Sequence, residues 1–132
     1  MHRILLLALF ALTSSSVTTG TSVPVMIGEH GEGQLDACTS VGAVSGLNPK
    51  GDRFLAVRLG PGTRYRLVDK LTEGQRVFLC SVSKDGQWHG VVYSRGDDTD
   101  CGVTSPVESA RPYTGHCQSG WVNARWIKVV AG

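Results

Sequence analysis

Short stretches in which apolar and polar residues alternate, separated by glycine- and proline-rich turns, dominate the chain from Ala37 onward. Alternation with a period of two residues is typical of β-strands that bury one face. The pattern predicts extended segments at Cys38–Leu47, Phe54–Arg58, Tyr65–Leu71, Arg76–Ser83, Trp88–Tyr93, Gly120–Asn123 and Trp126–Val130. A helical stripe longer than two turns is absent from the sequence, which therefore predicts an all-β domain.

Two stretches lack this alternation. The segment 21–36 contains a short apolar patch that glycines interrupt, and we interpret it as a flexible linker. The segment Ser94–Ser119 carries prolines, aspartates and only scattered apolar residues. We predict that it is a long surface loop closed by Cys101 and Cys117.

The first residues have the layout of a secretory signal peptide. Residues 1–3 are a short positive region, residues 4–12 are an unbroken apolar run, and residues 13–20 are small and polar. An apolar helix of this length measures roughly 14 Å, which is too short for a hydrocarbon core of about 30 Å. We therefore assign residues 1–20 to a signal peptide and expect a secreted or periplasmic protein without a membrane span.

Length and composition restrict the chain to one small globular domain, which we place at residues 37–132. Of 132 residues, 41% are hydrophobic and 18% are charged, which excludes a disordered tail and a multi-span membrane protein. The net charge of +2 is too small to indicate a nucleic-acid partner. We expect a monomer that needs no cofactor.

All four cysteines lie after the predicted signal peptide: Cys38, Cys80, Cys101 and Cys117. An even number of cysteines in an exported domain predicts two disulfides, and spacing alone leaves three pairings open. A zinc site would need cysteines or histidines in close clusters, whereas the nearest two cysteines are sixteen residues apart. Disulfide formation also removes the free thiolate that cysteine catalysis requires.

Other candidate chemistry has little support in the sequence. The four histidines are not accompanied by a Gly-x-Ser-x-Gly elbow, so we expect no enzyme activity. Glu29, His30 and Glu32 lie in the predicted linker, where solvation explains them better than a metal ion does. The acidic run at 97–100 lacks the glycine and glutamate of a calcium-binding loop. We predict neither a metal site nor a catalytic residue.

Four short motifs follow one another along the chain. They are Leu55–Gly62 (LAVRLGPG), Leu71–Val77 (LTEGQRV), Gly86–Val91 (GQWHGV) and Gly120–Ile127 (GWVNARWI). In this order they resemble the motifs of bacterial SH3-like (SH3b) domains. The resemblance covers Leu55–Ile127 and implies a small SH3-like barrel of five to six short strands, which would leave no exposed sheet edge.

The chain departs from the family pattern in two places. The segment Cys38–Leu47 precedes the family motifs, and the long loop replaces the short hairpin that usually comes before the Gly-Trp-Val motif. A Cys38–Cys80 disulfide would fasten the additional strand to the barrel, and a Cys101–Cys117 disulfide would close the loop. We expect this pairing, in which the second bond restricts the unfolded chain by roughly 3 kcal/mol.

SH3-type barrels bind extended peptides in shallow grooves lined by aromatic rings. The resemblance therefore implies a ligand-binding set of four aromatic residues: Tyr65, Trp88, Tyr93 and Trp126. We assign Trp121 to the core, and a core position is the alternative for Trp126. We expect Arg58 to have a structural role, pairing with a turn carbonyl or with Asp69.

Two functional hypotheses from different classes follow. The first is a non-catalytic module that binds a cell-envelope ligand, either peptidoglycan or an extended peptide. The alternative is a small secreted inhibitor or immunity-type protein that inserts the stapled loop into a partner's cleft. An exposed aromatic groove would favour the first hypothesis, whereas an ordered, protruding loop beside a buried groove would favour the second. A cell-wall hydrolase has the least support.

Overall fold

The structure is a computed structural model that describes residues 10–12, 21–30, 33, 35–96 and 100–132. Most of the predicted signal peptide therefore lies outside the described residues. The strands are β1 Met26–Ile27, β2 Ser40–Val44, β3 Leu55–Arg58, β4 Leu67–Leu71, β5 Arg76–Val82, β6 Trp88–Tyr93, β7 Arg111–Pro112, β8 Gln118–Asn123 and β9 Ile127–Ala131. A 3-10 turn, Ala124–Trp126, precedes β9. The prediction of an all-β domain is confirmed.

Seven strands form one antiparallel sheet in the order β4-β3-β8-β6-β5-β2-β9, while β1 pairs with β7 in a separate two-stranded ribbon. Each of the seven strands falls on one of the extended segments that the alternating pattern predicts. The expectation of a closed barrel needs a correction, because β4 and β9 are the two edges of this sheet. Within the described part of the chain, no ladder joins them.

The turn that follows β4 brings the two ends of the sheet together at one corner without a strand ladder. The Gly74 N–H donates to the Val44 carbonyl at 2.8 Å, so this turn meets the end of β2. The Glu73 carboxylate accepts hydrogen bonds from the Gly46 and Leu47 N–H groups at 2.9 and 3.1 Å. These contacts hold one corner together by a turn and a side chain, and they leave the outer edges of β4 and β9 without a strand partner.

One face of the curved sheet encloses an apolar cluster that we call the inner core. Its buried members are Val44, Leu55, Val57, Leu71, Val77, Leu79, Val91, Tyr93 and Val122. In β3, for example, Leu55 and Val57 are buried and their neighbours are not, as a period of two residues requires. The alternating pattern in the sequence therefore identifies the residues that form the inner core.

The opposite face of β5, β6 and β8 carries a second apolar cluster that we call the outer core. Its buried members are Val25, Ile27, Ala37, Cys38, Cys80, Trp88, Val92, Cys101, Val103 and Trp121. Residues before β2 and residues of the long loop supply six of these ten residues. The interpretation of 21–36 as a flexible linker therefore needs correction, because Val25 and Ile27 are only 3% exposed and pack against the sheet.

Hydrogen bonds hold the N-terminal segment on the sheet. The Trp121 indole N–H donates to the Val23 carbonyl at 2.8 Å. The buried Ser81 hydroxyl accepts from the Met26 N–H at 3.1 Å and donates to the Met26 carbonyl at 2.7 Å. Gly90 permits this close packing, since a Cβ there would lie 3.0 Å from the Ser81 Cβ and 3.4 Å from the Trp121 ring. The close approach of these neighbouring side chains explains why a glycine occupies the interior of β6.

Two disulfides close the outer core. They join Cys38 to Cys80 and Cys101 to Cys117, which is the expected pairing. The first links the segment before β2 to β5, and the second spans the long loop. The loop does more than lie on the surface, because its own residue Val103 is fully buried in the outer core.

Candidate functional site

A shallow hollow of about 250 Å³ lies on the outer side of β3, and we call it the aromatic depression. Its lining residues are Asp52, Phe54, Leu55, Ala56, Arg58, Thr63, Leu67, Trp88, Asn123 and Trp126. Two members of the predicted ligand-binding set, Trp88 and Trp126, therefore meet in one place, together with Phe54.

The β5–β6 hairpin positions Trp88. The Ser83 hydroxyl accepts from the Trp88 N–H at 3.0 Å and donates to the Asp85 carboxylate at 2.6 Å. Gly86 has a φ of +72°, the left-handed conformation that short hairpin turns favour. Because Trp88 is 8% exposed, only a small part of its surface lines the depression.

The 3-10 turn positions Trp126. The Asn123 side chain accepts from the Arg125 N–H at 2.9 Å and so caps the turn. The Ala124 N–H donates to the Gln87 carbonyl at 2.8 Å, which ties the turn to the β5–β6 hairpin. Trp126 is half-buried and packs against the inner core on one side. The hairpin and the turn thus bring the two tryptophans to the same depression.

The other two predicted ligand-binding residues lie elsewhere. The Tyr65 ring packs against Gly60, where a Cβ would lie 2.5 Å from the ring, and it does not line the depression. Tyr93 is 2% exposed in the inner core, and its hydroxyl donates to Asp69 at 2.6 Å. The assignment of Tyr93 to an exposed groove is therefore wrong, because it shares the inner face of β6 with Val91.

Arg58 has the structural role that the sequence predicts. Its Nη1 donates to the Thr63 carbonyl at 3.2 Å and to the Tyr65 carbonyl at 3.0 Å, so it stabilises the turn between β3 and β4. Asp69, the alternative partner, pairs with Arg95 instead. Trp121 is 5% exposed, which confirms its assignment to a core.

Sequence reasoning missed two features of the depression. Phe54 lines it, and the Lys70 ammonium lies 4.5 Å from the centre of the Phe54 ring. The Arg125 guanidinium lies 5.0 Å from the Trp126 ring. The alternation in β3 contained a signal for Phe54, since the residue before buried Leu55 faces outward. The sequence shows that basic residues, Lys70 among them, outnumber acidic ones between Arg53 and Arg76. It does not show the contacts of Lys70 and Arg125 with the rings, because these depend on strand pairing and on the 3-10 turn.

Five described titratable groups have shifted pKa values, and three of them, Asp69, His89 and Tyr93, are at least partly buried. Burial and the hydrogen bond to Asp69 raise the pKa of Tyr93. Burial opposes ionisation of Asp69, but hydrogen bonds from Tyr93, the Lys70 N–H and Arg95 outweigh it and lower its pKa. Burial lowers the pKa of His89, whose Nδ1 has no hydrogen-bond partner within the described part of the chain. Burial and these hydrogen bonds are sufficient to explain the three pKa shifts. The shifts therefore do not by themselves indicate a catalytic site.

Metal ligands are not grouped in the described residues. Among them, no set of three or more His, Cys, Asp or Glu side chains is placed to hold a metal ion. Asp100 accepts hydrogen bonds from the Gly102 N–H at 3.1 Å and from the Thr104 hydroxyl at 2.8 Å, which are local loop contacts. The other acidic residues of that run, within 97–99, lie outside the described residues, as does Glu32.

Comparison with known proteins gives no relative. No protein-family model matches the chain, and neither does a curated protein or a solved structure. The described residues contain no helix of sufficient length and apolarity to cross a membrane. The function must therefore be inferred from the geometry of the site.

Proposed function

We propose that this protein is an exported, non-catalytic binding module of the SH3b type that recognises an extended peptide of the cell envelope. Peptidoglycan is the insoluble ligand in which such a peptide would be presented. The two disulfides support a secreted or periplasmic location, because disulfides form and persist in oxidising compartments.

The observation that carries this proposal is the aromatic depression. Its volume of about 250 Å³ is below the roughly 300–1,000 Å³ of typical small-molecule sites. A shallow hollow suits an extended chain that continues across the surface better than it suits an enclosed small molecule. Phe54 and Trp126 are both half-buried, so each ring is anchored and still offers contact area to a ligand.

A second candidate function rests on the long loop. Its residues Glu108–Arg111 are exposed, and Arg111 is held by the pairing of β7 with β1. The Tyr113 hydroxyl donates to the Cys101 carbonyl at 2.8 Å and accepts from the Cys117 N–H at 3.2 Å. An exposed loop that is held in this way favours an inhibitor, because a rigid loop loses little entropy when it binds a partner.

The two candidates are separated by a sedimentation experiment with insoluble peptidoglycan and the variant Phe54→Ala. We expect Phe54→Ala to weaken co-sedimentation by about tenfold, since a central aromatic anchor commonly contributes this much. The melting temperature and circular dichroism spectrum should remain close to those of the parent, because Phe54 belongs to neither core.

Phe78→Ala is the matched control. Phe78 is also half-buried, but it packs beside the outer core and does not line the depression. Equal weakening by Phe78→Ala would contradict a role for the depression. A parent protein that fails to sediment would remove peptidoglycan as the ligand. Capture of a soluble enzyme that Glu108→Ala abolishes would then establish the inhibitor function.

A further inference from the structure

The charges around the aromatic depression are unbalanced. Lys70 and Arg125 are exposed, and each lies over an aromatic ring of the site. Arg58 lines the depression as well, held by its bonds to the turn. Asp52 is the one acidic residue among the lining residues that the structure describes. Three positively charged side chains therefore lie in or beside the depression, whereas one negatively charged side chain lines it.

The cations are held in place without being neutralised. Contact with a ring attracts a cation by its quadrupole and leaves its full charge available. Arg95 pairs with Asp69, whereas neither Lys70 nor Arg125 takes part in an ion pair with another described residue. The rim of the depression thus keeps a positive potential, and an anionic ligand is the complement to it.

The position of the depression on the sheet indicates what kind of anion fits. The aromatic depression lies over β3 and reaches Leu67 in β4. β4 pairs only with β3 in the described sheet, but its open edge is not a free row of backbone groups. The Lys70 N–H donates to the Asp69 carboxylate at 2.8 Å, and the Lys70 carbonyl accepts from Arg95 at 2.8 Å. A ligand therefore fits across the face of the sheet, where a shallow hollow lined by aromatic rings suits an extended peptide.

From these observations we propose that the aromatic depression selects an acidic extended peptide. Carboxylates of the peptide would pair with Lys70 and Arg125, while its backbone crosses the aromatic depression between them. This inference rests on the proposed function and narrows its ligand. It also separates the two sources of binding, since the rings supply contact area and the cations supply the preference for negative charge.

The test compares two labelled ten-residue peptides by fluorescence anisotropy, one alternating Glu and Gly and the other alternating Gln and Gly. We expect the Glu peptide to bind about tenfold more tightly at low salt. This advantage should shrink severalfold between about 0.05 and 0.5 M NaCl, because exposed charges are screened over that range. Equal affinities for the two peptides, or an advantage that salt leaves unchanged, would overturn the proposal.

Variants localise the effect. Lys70→Gln and Arg125→Gln should each weaken binding of the Glu peptide by about three- to fivefold and leave the Gln peptide unaffected. Lys128→Gln is the matched control, since Lys128 is an exposed cation on β9 at the other edge of the sheet. A loss with Lys128→Gln as large as with Lys70→Gln would show that charge acts non-specifically, and the proposal would fail.

Two further outcomes are distinguishable. If the parent sediments with peptidoglycan but binds neither peptide, the acidic-peptide inference is wrong and the proposed function stands. If it neither sediments nor binds a peptide, both are wrong. Displacement of the Glu peptide by polygalacturonate, a carboxylated polysaccharide, at equal carboxylate concentration would overturn the choice of a peptide.

Discussion

The inner core is built by the strands alone, whereas the outer core depends on segments that lie outside the sheet. Every buried member of the inner core lies in one of the strands β2 to β8. Six of the ten buried members of the outer core come from residues before β2 and from the long loop, and both disulfides attach these segments. The curvature of the sheet itself therefore encloses the apolar side chains of one face. The apolar side chains of the other face are covered by segments that the disulfides attach to the sheet.

The difference shows what the disulfides do in this fold. Strands that curl around an apolar interior need no covalent bond to keep their side chains together. The outer layer consists of a two-stranded ribbon and irregular chain, which bury only a few large side chains each. Such layers pay a high ordering entropy for little buried area, and cross-links reduce that cost by restricting the unfolded chain.

Trp121→Ala should have the largest effect on this comparison. Removing a buried tryptophan leaves a cavity, and we expect a loss of about 3–5 kcal/mol in the free energy of unfolding, measured in urea. The change also removes the 2.8 Å hydrogen bond to the Val23 carbonyl. Amides of the N-terminal segment 23–27 should therefore exchange with solvent faster than those of the sheet.

Val122→Ala provides the contrast, because Val122 is the next residue of β8 and faces the inner core. We expect it to cost about 2 kcal/mol and to leave the exchange of segment 23–27 tied to global unfolding. If Val122→Ala released that segment as readily as Trp121→Ala, the two cores would be one cooperative unit. If Trp121→Ala fails to fold, Trp121→Phe keeps most of the ring and permits the same measurement.

Removal of the disulfides should come next in size. The bond Cys38–Cys80 closes a separation of 42 residues, and Cys101–Cys117 closes one of 16. Loop entropy assigns them about 4 and about 3 kcal/mol, so the double variant Cys38→Ala/Cys80→Ala should be the less stable. Limited proteolysis should cut segment 23–36 first in that variant, and loop 100–117 first in Cys101→Ala/Cys117→Ala. Identical cleavage patterns would contradict separate attachment of the two segments.

The sequence predicts the inner core better than the outer core for a physical reason. Leu55 and Val57 are recognisable because a half-buried strand imposes alternation on its own residues. Val25 and Ile27 are buried only because a sheet face and the long loop lie beside them, and no local pattern records that. The predicted pairing of the cysteines likewise depended on the assumption that a disulfide attaches the additional strand to the sheet, and not on a local pattern.

The candidate site shows the same limit. Trp88 and Trp126 could be selected from the motifs, yet their meeting depends on the bond between the 3-10 turn and the hairpin. Tyr93 was misassigned because its face follows from strand register, which aromatic character does not reveal. Lys70 enters the site only through the pairing of β4 with β3.

The smallest expected effect concerns the hydroxyl of Tyr93, the polar group of the inner core, and Tyr93→Phe tests it. The variant should lose about 1–2 kcal/mol near neutral pH, because the hydroxyl donates to an ionised Asp69 and the ring itself stays in place. Ser81→Ala is the counterpart in the outer core, where two bonds to Met26 are lost, and about 1 kcal/mol is expected.

The pH dependence of Tyr93→Phe identifies the bond. The pKa of Asp69 is lowered from 3.8, so its stabilising contribution is present above that value and disappears as the pH falls through the lowered pKa. The pKa of Tyr93 is raised from 10.0, so its contribution is present below that value and is lost as the pH rises. The stability difference between parent and Tyr93→Phe should therefore be constant between about pH 5 and 9 and shrink on both sides.

Ser81→Ala, which removes no titrating group, should differ from the parent by the same amount throughout. A difference for Tyr93→Phe that stays flat from acid to alkali would show that the ring, and not the bond to Asp69, accounts for the loss.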